Sequence, residues 1–250
     1  MKSVHIYVTP RSLYAASRDG QVSRTDADDP DDATGPALGN AARWLRERSG
    51  FGARVELTLA SSLVRFVTVP WIAGTFTGGA IRRQAARALA QLHGEDPARW
   101  QLCIQWPRYG WPAFAVAYPS GLMAAVAESL LVAELTLDRT VASAAAVVSR
   151  YASSMPRGAS FVGFQEDDGL TGVHLHDGEI AEVEFVSHQA PGLDAPDVWG
   201  SRKRFEFPTP GQLRWVQAGH CPSAFAGLAF TAAGSGSACA STDLLEAIRR

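Results

Sequence analysis

Apolar and polar positions in the first 153 residues switch between the two-residue period of strands and the wider spacing of helices. Three short strand-like runs come first, and the turn signal Asp19-Gly20 separates the second from the third. Helix-like and strand-like runs then follow each other. This part of the sequence predicts strands over 4–9, 12–17, 21–25, 55–60, 63–69, 100–106, 113–118 and 135–140, and helices over 37–48, 77–93, 119–134 and 141–153.

Turn and cap residues delimit several of these predicted elements. Ser61-Ser62 lies between two strand-like runs and is short enough to predict a tight hairpin. Thr77 suits the N-cap of the helix that follows it, and Gly94 suits its C-terminal stop. Pro119 stands at the start of the next helix, where a missing backbone N–H is tolerated.

Strand-like runs dominate the rest of the chain, and two turn signals, 167–169 and 177–178, separate the first three. The pattern predicts strands over 160–165, 171–176 and 180–186, a loop over 189–200, strands or edges over 204–207 and 213–218, and a terminal helix over 244–249. Strands thus come in pairs and triplets between helices. This order predicts an α/β fold with mixed sheets and antiparallel hairpins, and it argues against a simple doubly wound parallel sheet.

Composition and charge narrow the class of protein. Of the 250 residues, 46% are hydrophobic and 19% are charged, which is typical of a globular chain. The formal net charge of −2 gives no reason to expect a nucleic acid or an anionic membrane as partner. No uncharged stretch offers about 20 predominantly apolar residues, so we expect a soluble protein without a direct membrane span.

The cysteines and the acidic run 26–32 indicate no metal or disulfide chemistry. Cys103, Cys221 and Cys239 are odd in number, and no Cys-x-x-Cys spacing occurs. We therefore expect neither a disulfide framework nor a structural zinc site, and a reducing compartment fits best. The acidic run lacks the glycine turns and spaced ligands of a calcium loop, so it predicts a solvated surface loop.

Residues 55–71 have the sequence VELTLASSLVRFVTVPW. This segment resembles one near the start of the cytoplasmic domain of the type II secretion protein GspL and of the related pilus-assembly PilM proteins. The order of elements extends the resemblance over roughly 50–185, through the strand that Trp100 opens and the AVAY strand at 115–118. The matching positions of the motif are Leu59, Ser61, Ser62, Val64, Arg65, Val69, Pro70 and Trp71.

The resemblance implies an actin-like (ribonuclease-H-like) mixed-sheet fold in reduced form, with two lobes. We expect residues 1–140 to form the first lobe with an inserted hairpin subdomain, and 141–250 a second, partial lobe. The implied function is that of a non-enzymatic adaptor in a type IV pilus or type II secretion assembly platform. Its implied partners are a bitopic inner-membrane protein, the assembly ATPase or a second copy of the chain. The implied location is cytoplasmic, at the inner membrane through a partner.

Actin-like ATPases hold phosphate in two glycine-containing loops, which the resemblance places at 9–12 and 165–169. The first has neither Asp nor Gly here, and Pro10 removes one amide donor. The second carries Glu166, Asp167 and Asp168 but no glycine pair ahead of them, so it predicts a charged β-turn. The Gly/Ser stretch 234–237 predicts a flexible connection rather than an adenosine loop. We expect no ATP hydrolysis, no catalytic residue and no cofactor; the alternative is an actin-like ATP-binding protein or ATPase with an altered phosphate loop.

Other polar pairs give weaker signals. His174 and His176 share a strand face, yet Asp177 or His188 would have to complete a metal site, so we expect surface histidines and no metal. His220-Cys221 lacks the surroundings of a nucleophile and predicts a structural thiol. Two further acidic side chains, Glu182 and Glu184, are predicted on the wet face of one strand.

Candidate partner-binding residues are aromatic or basic. Trp71 follows Pro70 at a strand end, where an aromatic side chain can anchor an interface, although a core position is the alternative. The arginines of the helix 77–93 can meet an acidic partner or form an ordinary solvated face. A free sheet edge can accept a partner strand. The predicted partner-binding residues are Arg65, Trp71, Arg82, Arg83 and Arg87.

Overall fold

The computed structural model describes residues 4–26, 35–71, 73, 77–105, 109–151, 155–188, 196–207, 212–217 and 230–232. The strands in this part are β1 (Val4–Val8), β2 (Ser12–Ala16), β3 (Val22–Asp26), β4 (Arg54–Leu59), β5 (Arg65–Val69), β6 (Trp100–Gln105), β7 (Ala113–Pro119), β8 (Thr136–Ala142), β9 (Ala159–Gln165), β10 (Gly169–His176), β11 (Glu179–Ser187), β12 (Leu213–Gln217) and β13 (Phe230–Ala232). The helices are α1 (Pro36–Ser49), α2 (Gly78–His93), α3 (Ser120–Val132), α4 (Ser143–Tyr151) and α5 (Pro196–Glu206).

The first sheet has five strands in the order β3-β2-β1-β4-β8. It is mixed, because β1 pairs antiparallel with β2 and parallel with β4. Helices α1 and α3 cover one face through buried side chains such as Leu45 and Val126. Tyr7 and Tyr14 lie in a separate buried cluster with Val147 of α4 and Val162 of β9. Helix α4 therefore lies between this sheet and the second one.

A three-stranded antiparallel sheet, β5-β7-β6, is inserted between β4 and β8 in the chain. Its central strand is apolar along its whole length because both of its faces are covered. Phe114 and Val116 face the core of the first sheet, whereas Ala115 packs against Ile81 and Leu89 of α2. The inserted sheet is thus held between a helix and the main body.

The second sheet repeats the first in its strand order, β11-β10-β9-β12-β13. Strand β9 pairs antiparallel with β10 and parallel with β12, as β1 does with β2 and β4. Gly163 and Gly172 lie opposite each other across β9 and β10. A Cβ on Gly172 would lie 2.4 Å from the Phe161 ring and 2.7 Å from Trp199. These glycines therefore make room for the buried aromatic side chains.

The division into lobes 1–140 and 141–250 remains a proposal. The two five-stranded sheets fit it, and the inserted sheet fits the hairpin subdomain expected in the first lobe. Its boundary falls within β8, the last strand of the first sheet and the strand that leads directly into α4.

The tight hairpin predicted at Ser61-Ser62 is wrong. Ser61–Leu63 forms a 3-10 turn, and the strands on either side enter different sheets. Strand β4 pairs with β1 and β8, whereas β5 pairs with β7. The backbone N–H of Ser61 donates to the Glu166 carboxylate, so a residue far along the chain occupies the place of a hairpin bond.

The strand or edge predicted over 204–207 is also wrong, and the predicted loop 189–200 ends in a helix. Helix α5 begins at Pro196 and ends at Glu206. Its core-facing side includes Trp199 and Lys203, which are four residues apart and both buried. A lysine on the buried side breaks the apolar pattern on which a helix prediction depends.

The limits predicted for α2 are confirmed. Oγ1 of Thr77 accepts a hydrogen bond of 3.3 Å from the backbone N–H of Ala80, and Gly94 ends the helix in the left-handed conformation with φ of +66°. No described helix is long and apolar enough to cross a bilayer. Most of the acidic run, His220-Cys221, the stretch 234–237 and the terminal helix lie outside the described residues.

Candidate functional site

Two β-turns face each other where the first and second sheets come together. One joins β1 to β2, and the other joins β9 to β10. The hydroxyl of Tyr7 donates to Oε1 of Glu166 over 2.7 Å, and that of Tyr14 donates to Oδ2 of Asp167 over 2.7 Å. Thr9 adds a hydrogen bond of 3.4 Å from Oγ1 to Oδ2 of Asp167. These five residues, the carboxylate cluster, fasten the turns to each other.

Glu166 is fully buried at the centre of the carboxylate cluster. Its oxygens also accept hydrogen bonds from the Thr171 hydroxyl and, over 3.2 Å, from the backbone N–H of Ser61. Burial raises the pKa of Glu166, although the hydrogen bonds from Thr171 and Tyr7 oppose this shift. Burial and the neighbouring carboxylate also raise the pKa of Tyr7 well above its ordinary value. Tyr7 is therefore held as a neutral donor.

The turn between β1 and β2 satisfies its own amides. Oγ1 of Thr9 accepts hydrogen bonds from the backbone N–H of Ser12 over 2.9 Å and of Arg11 over 3.3 Å. The backbone N–H of Thr9 donates to the Ser12 carbonyl over 2.9 Å. Pro10 has no N–H to offer. Each amide of this turn is therefore engaged within the chain, and none is directed at a phosphate position.

The carboxylate cluster joins the first sheet to the second through these hydrogen bonds. The rings of Tyr7 and Tyr14 stack with centroids 5.9 Å apart and occupy the space beside the turns. The turn at 166–168 is the charged β-turn that the sequence predicts, and its Glu166 is in addition buried and joins the two sheets.

The two five-stranded sheets share one strand order and meet at the turns that join their first two strands. With the inserted sheet, this architecture is an actin-like α/β fold in reduced form, as the resemblance implies. No protein-family model matches the sequence, and no curated protein is significantly similar to it. The likeness is therefore one of structure.

Three of the similar solved structures illustrate that likeness. The chain is similar to the cytoplasmic domain of EpsL, an inner-membrane component of the type II secretion system of Vibrio cholerae, with TM-score 0.58, 13% identity and coverage of 99% of this chain and 94% of that one. A Bacteroides thetaiotaomicron protein with an actin-like ATPase fold is similar with a TM-score of 0.57 and 9% identity, and the match covers 88% of this chain and 83% of that one. A chain of the PilM–PilN type IV pilus biogenesis complex is similar with a TM-score of 0.53 and 14% identity, and the match covers 84% of this chain and 66% of that one. Identities this low establish the fold alone.

Arg65, the first of the predicted partner-binding residues, has its guanidinium engaged within the chain. It donates over 3.1 Å to the carbonyl oxygens of Ser62 and Val64 and forms an ion pair of 3.3 Å with Glu95. It also lies over the ring of Trp100, 5.2 Å from the centroid. These contacts favour a structural role for Arg65 at the start of β5.

Trp71 lies half-buried at the end of β5, so neither a core nor a surface position describes it fully. Its ring meets that of Tyr109 edge to face, with centroids 5.0 Å apart. Tyr109 is 83% exposed. The predicted contact role of Trp71 therefore stays a prediction, with Tyr109 as its neighbour on the surface.

The three predicted arginines of α2 are exposed, and one of them lines a groove. This groove, the β6–β8 groove, has a volume of about 710 Å³ and runs between the outer strands of the inserted and first sheets. Arg82 stands at its rim, whereas Arg83 and Arg87 do not line it. Other lining residues are Gln101, Cys103, Tyr118, Met123 and Thr140.

The structure corrects the expectations for His174 and Glu184. Both are half-buried, because α5 covers this face of β10 and β11. Glu184 accepts hydrogen bonds from His174, from the Lys203 ammonium and from Nε1 of Trp199, the last over 2.9 Å. Burial alone would raise the pKa of Glu184, but these bonds lower it to about 2. His176 is exposed, as predicted.

A metal ion does not suit this network. Ligand atoms of His174, Glu182 and Glu184 lie within 4.8 Å of one another. The buried ammonium of Lys203, however, lies 3.2 Å from Nε2 of His174 and donates to Glu184. A cation placed there would meet a positive charge that is already paired with the carboxylate. The network is better explained as the joint between α5 and the second sheet.

The tyrosines and Thr9 of the carboxylate cluster were not predicted from the sequence. Tyr7 and Tyr14 alternate with aliphatic residues on their strands, so they were visible as a polar-tipped pair on one face. Their acceptors are 159 and 153 residues away in the chain. Local patterns carry no signal for a pairing at that distance.

Proposed function

We propose that this protein is a non-enzymatic adaptor of a type II secretion or type IV pilus assembly platform, and that it acts by binding. The observation that carries the proposal is the carboxylate cluster. It lies between the two turns that the resemblance equates with the phosphate loops of actin-like ATPases. Carboxylates, rather than free amides, occupy the region between these turns.

The structural neighbours supply the biological setting of the proposal. EpsL is described as an inner-membrane component of a type II secretion system, and PilM as part of a complex with PilN. By analogy, this chain resides in the cytoplasm and is held at the inner membrane by a bitopic membrane protein. The assembly ATPase is the second partner, with the exposed arginines Arg83 and Arg87 facing an acidic surface.

The β6–β8 groove is the proposed place for a segment of the membrane partner. Strands β6 and β8 each stand at the end of their sheet in the described part of the chain, so each offers a free edge. An extended segment can add to such an edge by main-chain hydrogen bonds while its side chains enter the groove. Leu102 and Ile104 supply apolar lining, and Arg82 supplies charge at the rim.

Co-purification tests the adaptor role. The full chain is expected to retain the cytoplasmic segment of its bitopic membrane partner. Cys103→Trp, which fills the groove, is expected to reduce retention at least about tenfold because the segment loses its place. The matched control Asn40→Trp adds the same ring at an exposed site of α1 and is expected to retain it fully. Retention that Cys103→Trp leaves unchanged would remove the groove from the proposal.

Calorimetry with Mg-ATP tests the non-enzymatic character. We expect no heat of binding, because the amides of the turn between β1 and β2 are engaged within the chain and the rings of Tyr7 and Tyr14 stack beside it. ATP binding by the unaltered chain that disappears in Asp167→Asn with Asp168→Asn would favour the alternative, a nucleotide-binding protein with an altered phosphate loop. Circular dichroism of this variant must show that it is folded, so that the loss of ATP binding is not caused by unfolding.

A further inference from the structure

Helix α3 is apolar on its solvent side as well as on its core side. Glu128 is the one charged residue among its thirteen. Leu131 and Val132 are 76% and 81% exposed at its C-terminal end. A surface helix ordinarily presents polar and charged side chains to water, and a helix that is apolar all round is ordinarily covered. The outer side of α3 therefore has the composition of a contact surface.

A groove of about 550 Å³ separates the outer sides of α3 and α1. Its lining from α1 includes Gly39 and Arg43, and its lining from α3 includes Ala125, Glu128 and Val132. Small residues at the floor let another backbone come close. This surface, the α1–α3 groove, is open in the described part of the chain.

Apolar side chains are concentrated around one end of the α1–α3 groove. Seven large apolar side chains are strongly exposed in the described part of the chain, and Phe51, Leu131 and Val132 belong to this region. Arg46, which lines the groove, lies 5.2 Å from the centroid of the Phe51 ring. Concentration of exposed apolar surface in one place, rimmed by charge, is typical of an interface.

The charges of the α1–α3 groove are separated by helix. Arg43 and Arg46 come from α1, whereas Glu128 comes from α3 and Glu134 from the residues that follow it. Arg46 and Glu134 already form an ion pair of 3.3 Å. Arg43 and Glu128 are both exposed and form no ion pair within the described part of the chain. Among the described residues, one positive and one negative group thus stand on opposite sides of the groove without an ion pair.

We propose that the α1–α3 groove is a homodimer interface, occupied by α1 and α3 of a second copy of this chain related by a two-fold axis. Such an axis brings each helix against the other helix of its partner, so that Arg43 of each copy faces Glu128 of the other. The same pairing occurs twice, and Val132 of both copies is buried between the pairs. The four helices form one antiparallel packed layer.

A second copy suits this surface better than a partner with one sign of charge. An acidic helix in the groove would pair with Arg43 but would repel Glu128, and a basic helix would do the reverse. A two-fold dimer satisfies both groups with the residues present. A stable interface needs about 800 Å² from each copy, which two helices with their flanking residues can supply. This inference does not depend on the proposed function.

Sedimentation equilibrium of the full chain over micromolar concentrations tests the inference. The unaltered chain is expected to dimerise. Arg43→Glu and Glu128→Arg are each expected to raise the dimer dissociation constant at least roughly 100-fold, because each creates two like-charge contacts. The double variant with both changes is expected to dimerise again. Arg87→Glu, an equal change of charge on α2 outside the groove, is the control and is expected to dimerise as the unaltered chain does.

Three results would overturn the inference. The first is a monomer at every concentration, which would leave the groove to a different protein. The second is a dimer that survives both single charge reversals, since the interface would then lie elsewhere. The third is a double variant that stays monomeric while its thermal unfolding matches that of the unaltered chain.

Discussion

The two five-stranded sheets have the same strand order but different side chains where their first two strands pair. In the first sheet, Tyr7 lies opposite Tyr14. In the second sheet, Gly163 lies opposite Gly172. The tyrosines extend outward to meet the other sheet, whereas the glycines leave space that Trp215 and other aromatic rings of the second sheet fill. With the same topology, the first sheet uses these positions to contact the other sheet, whereas the second sheet uses them to pack its own aromatic core.

The sheets also differ in how they use charge. The first sheet contributes tyrosine hydroxyls to the carboxylate cluster, the 3-10 turn after β4 contributes the Ser61 N–H, and the turn of the second sheet contributes both carboxylates. The second sheet has in addition its own charged network, in which Glu184 binds Lys203 and Trp199 of α5. The same strand order can therefore be stabilised by different interactions: close packing at glycines, buried hydrogen bonds or ion pairs. Measurements of unfolding free energy in single variants can separate these contributions.

The largest effect is expected at the glycine pair. Gly172→Ala should lower the free energy of unfolding by about 3 kcal/mol, because its Cβ would lie 2.4 Å from the Phe161 ring with little room to move. Urea denaturation measures the change. Gly121→Ala, with no atom within 4 Å of the new Cβ, is the control and should stabilise α3 slightly. Equal midpoints for both variants would show that the glycines are not needed for packing.

A comparable effect that depends on pH is expected at Glu184. Its pKa is lowered from 4.5 to about 2, and solvent screening at this half-buried carboxylate reduces the corresponding stability to about 2 kcal/mol. Because the folded-state pKa is the lower one, this stability is present above pH 4.5 and is lost as the pH falls towards 2. Glu184→Gln should therefore be less stable than the unaltered chain at pH 7 and nearly equal to it at pH 2.

Glu182→Gln is the matched control for that pH series, since Glu182 is exposed on the same strand. Its unfolding curves should follow those of the unaltered chain at each pH. A Glu184→Gln variant that loses the same stability at pH 2 as at pH 7 would contradict the charge-based explanation.

A smaller effect is expected for the tyrosine pair. Tyr7→Phe should lower the free energy of unfolding by about 1–2 kcal/mol, because the fully buried Glu166 loses a donor. Tyr14→Phe should cost less, since Asp167 is only half-buried and can be hydrated. Thermal unfolding of the two variants side by side measures this order. A larger loss of stability in Tyr14→Phe than in Tyr7→Phe would show that the hydrogen bond to Asp167 contributes more than the one to Glu166.

The smallest effect is a second pH dependence, opposite in sign to that of Glu184. Burial raises the pKa of Glu166 above its unfolded value, so the folded chain favours the protonated form. Stability should therefore decline as the pH rises from the unfolded pKa of Glu166 through its folded one. Glu166→Gln should remove this decline, which a pH series of thermal midpoints would detect.

The fold was predictable from the sequence to the extent that it rests on local patterns. The order of strands and helices up to α4, and the caps of α2, follow from periodicity and from Thr77 and Gly94. The motif at 55–71 then implied the actin-like architecture. Helix α5 escaped prediction because its buried side includes Lys203, whose partner Glu184 lies 19 residues earlier.

The candidate site was less predictable for the same physical reason. Glu166 was visible as part of a charged turn, but its burial depends on Ser61, 105 residues earlier in the chain, and on Tyr7, 159 residues earlier. The composition of a turn does not reveal what packs over it. Arg65 illustrates the same limit, because its sequence context does not reveal that its guanidinium is engaged by nearby carbonyl groups and by Glu95. Its partner-binding role stays a prediction.

The hydrogen bond between Tyr7 and Glu166 has a consequence for the synthesis of this protein. A ribosome makes Tyr7 long before Glu166. While the first sheet emerges, the carboxylate that accepts the Tyr7 hydrogen bond has not yet been synthesised. Until then its tyrosine hydroxyls and the Ser61 amide can be satisfied only by water. We expect protease protection of these residues on stalled ribosomes to begin only after the turn at 166–168 has left the exit tunnel.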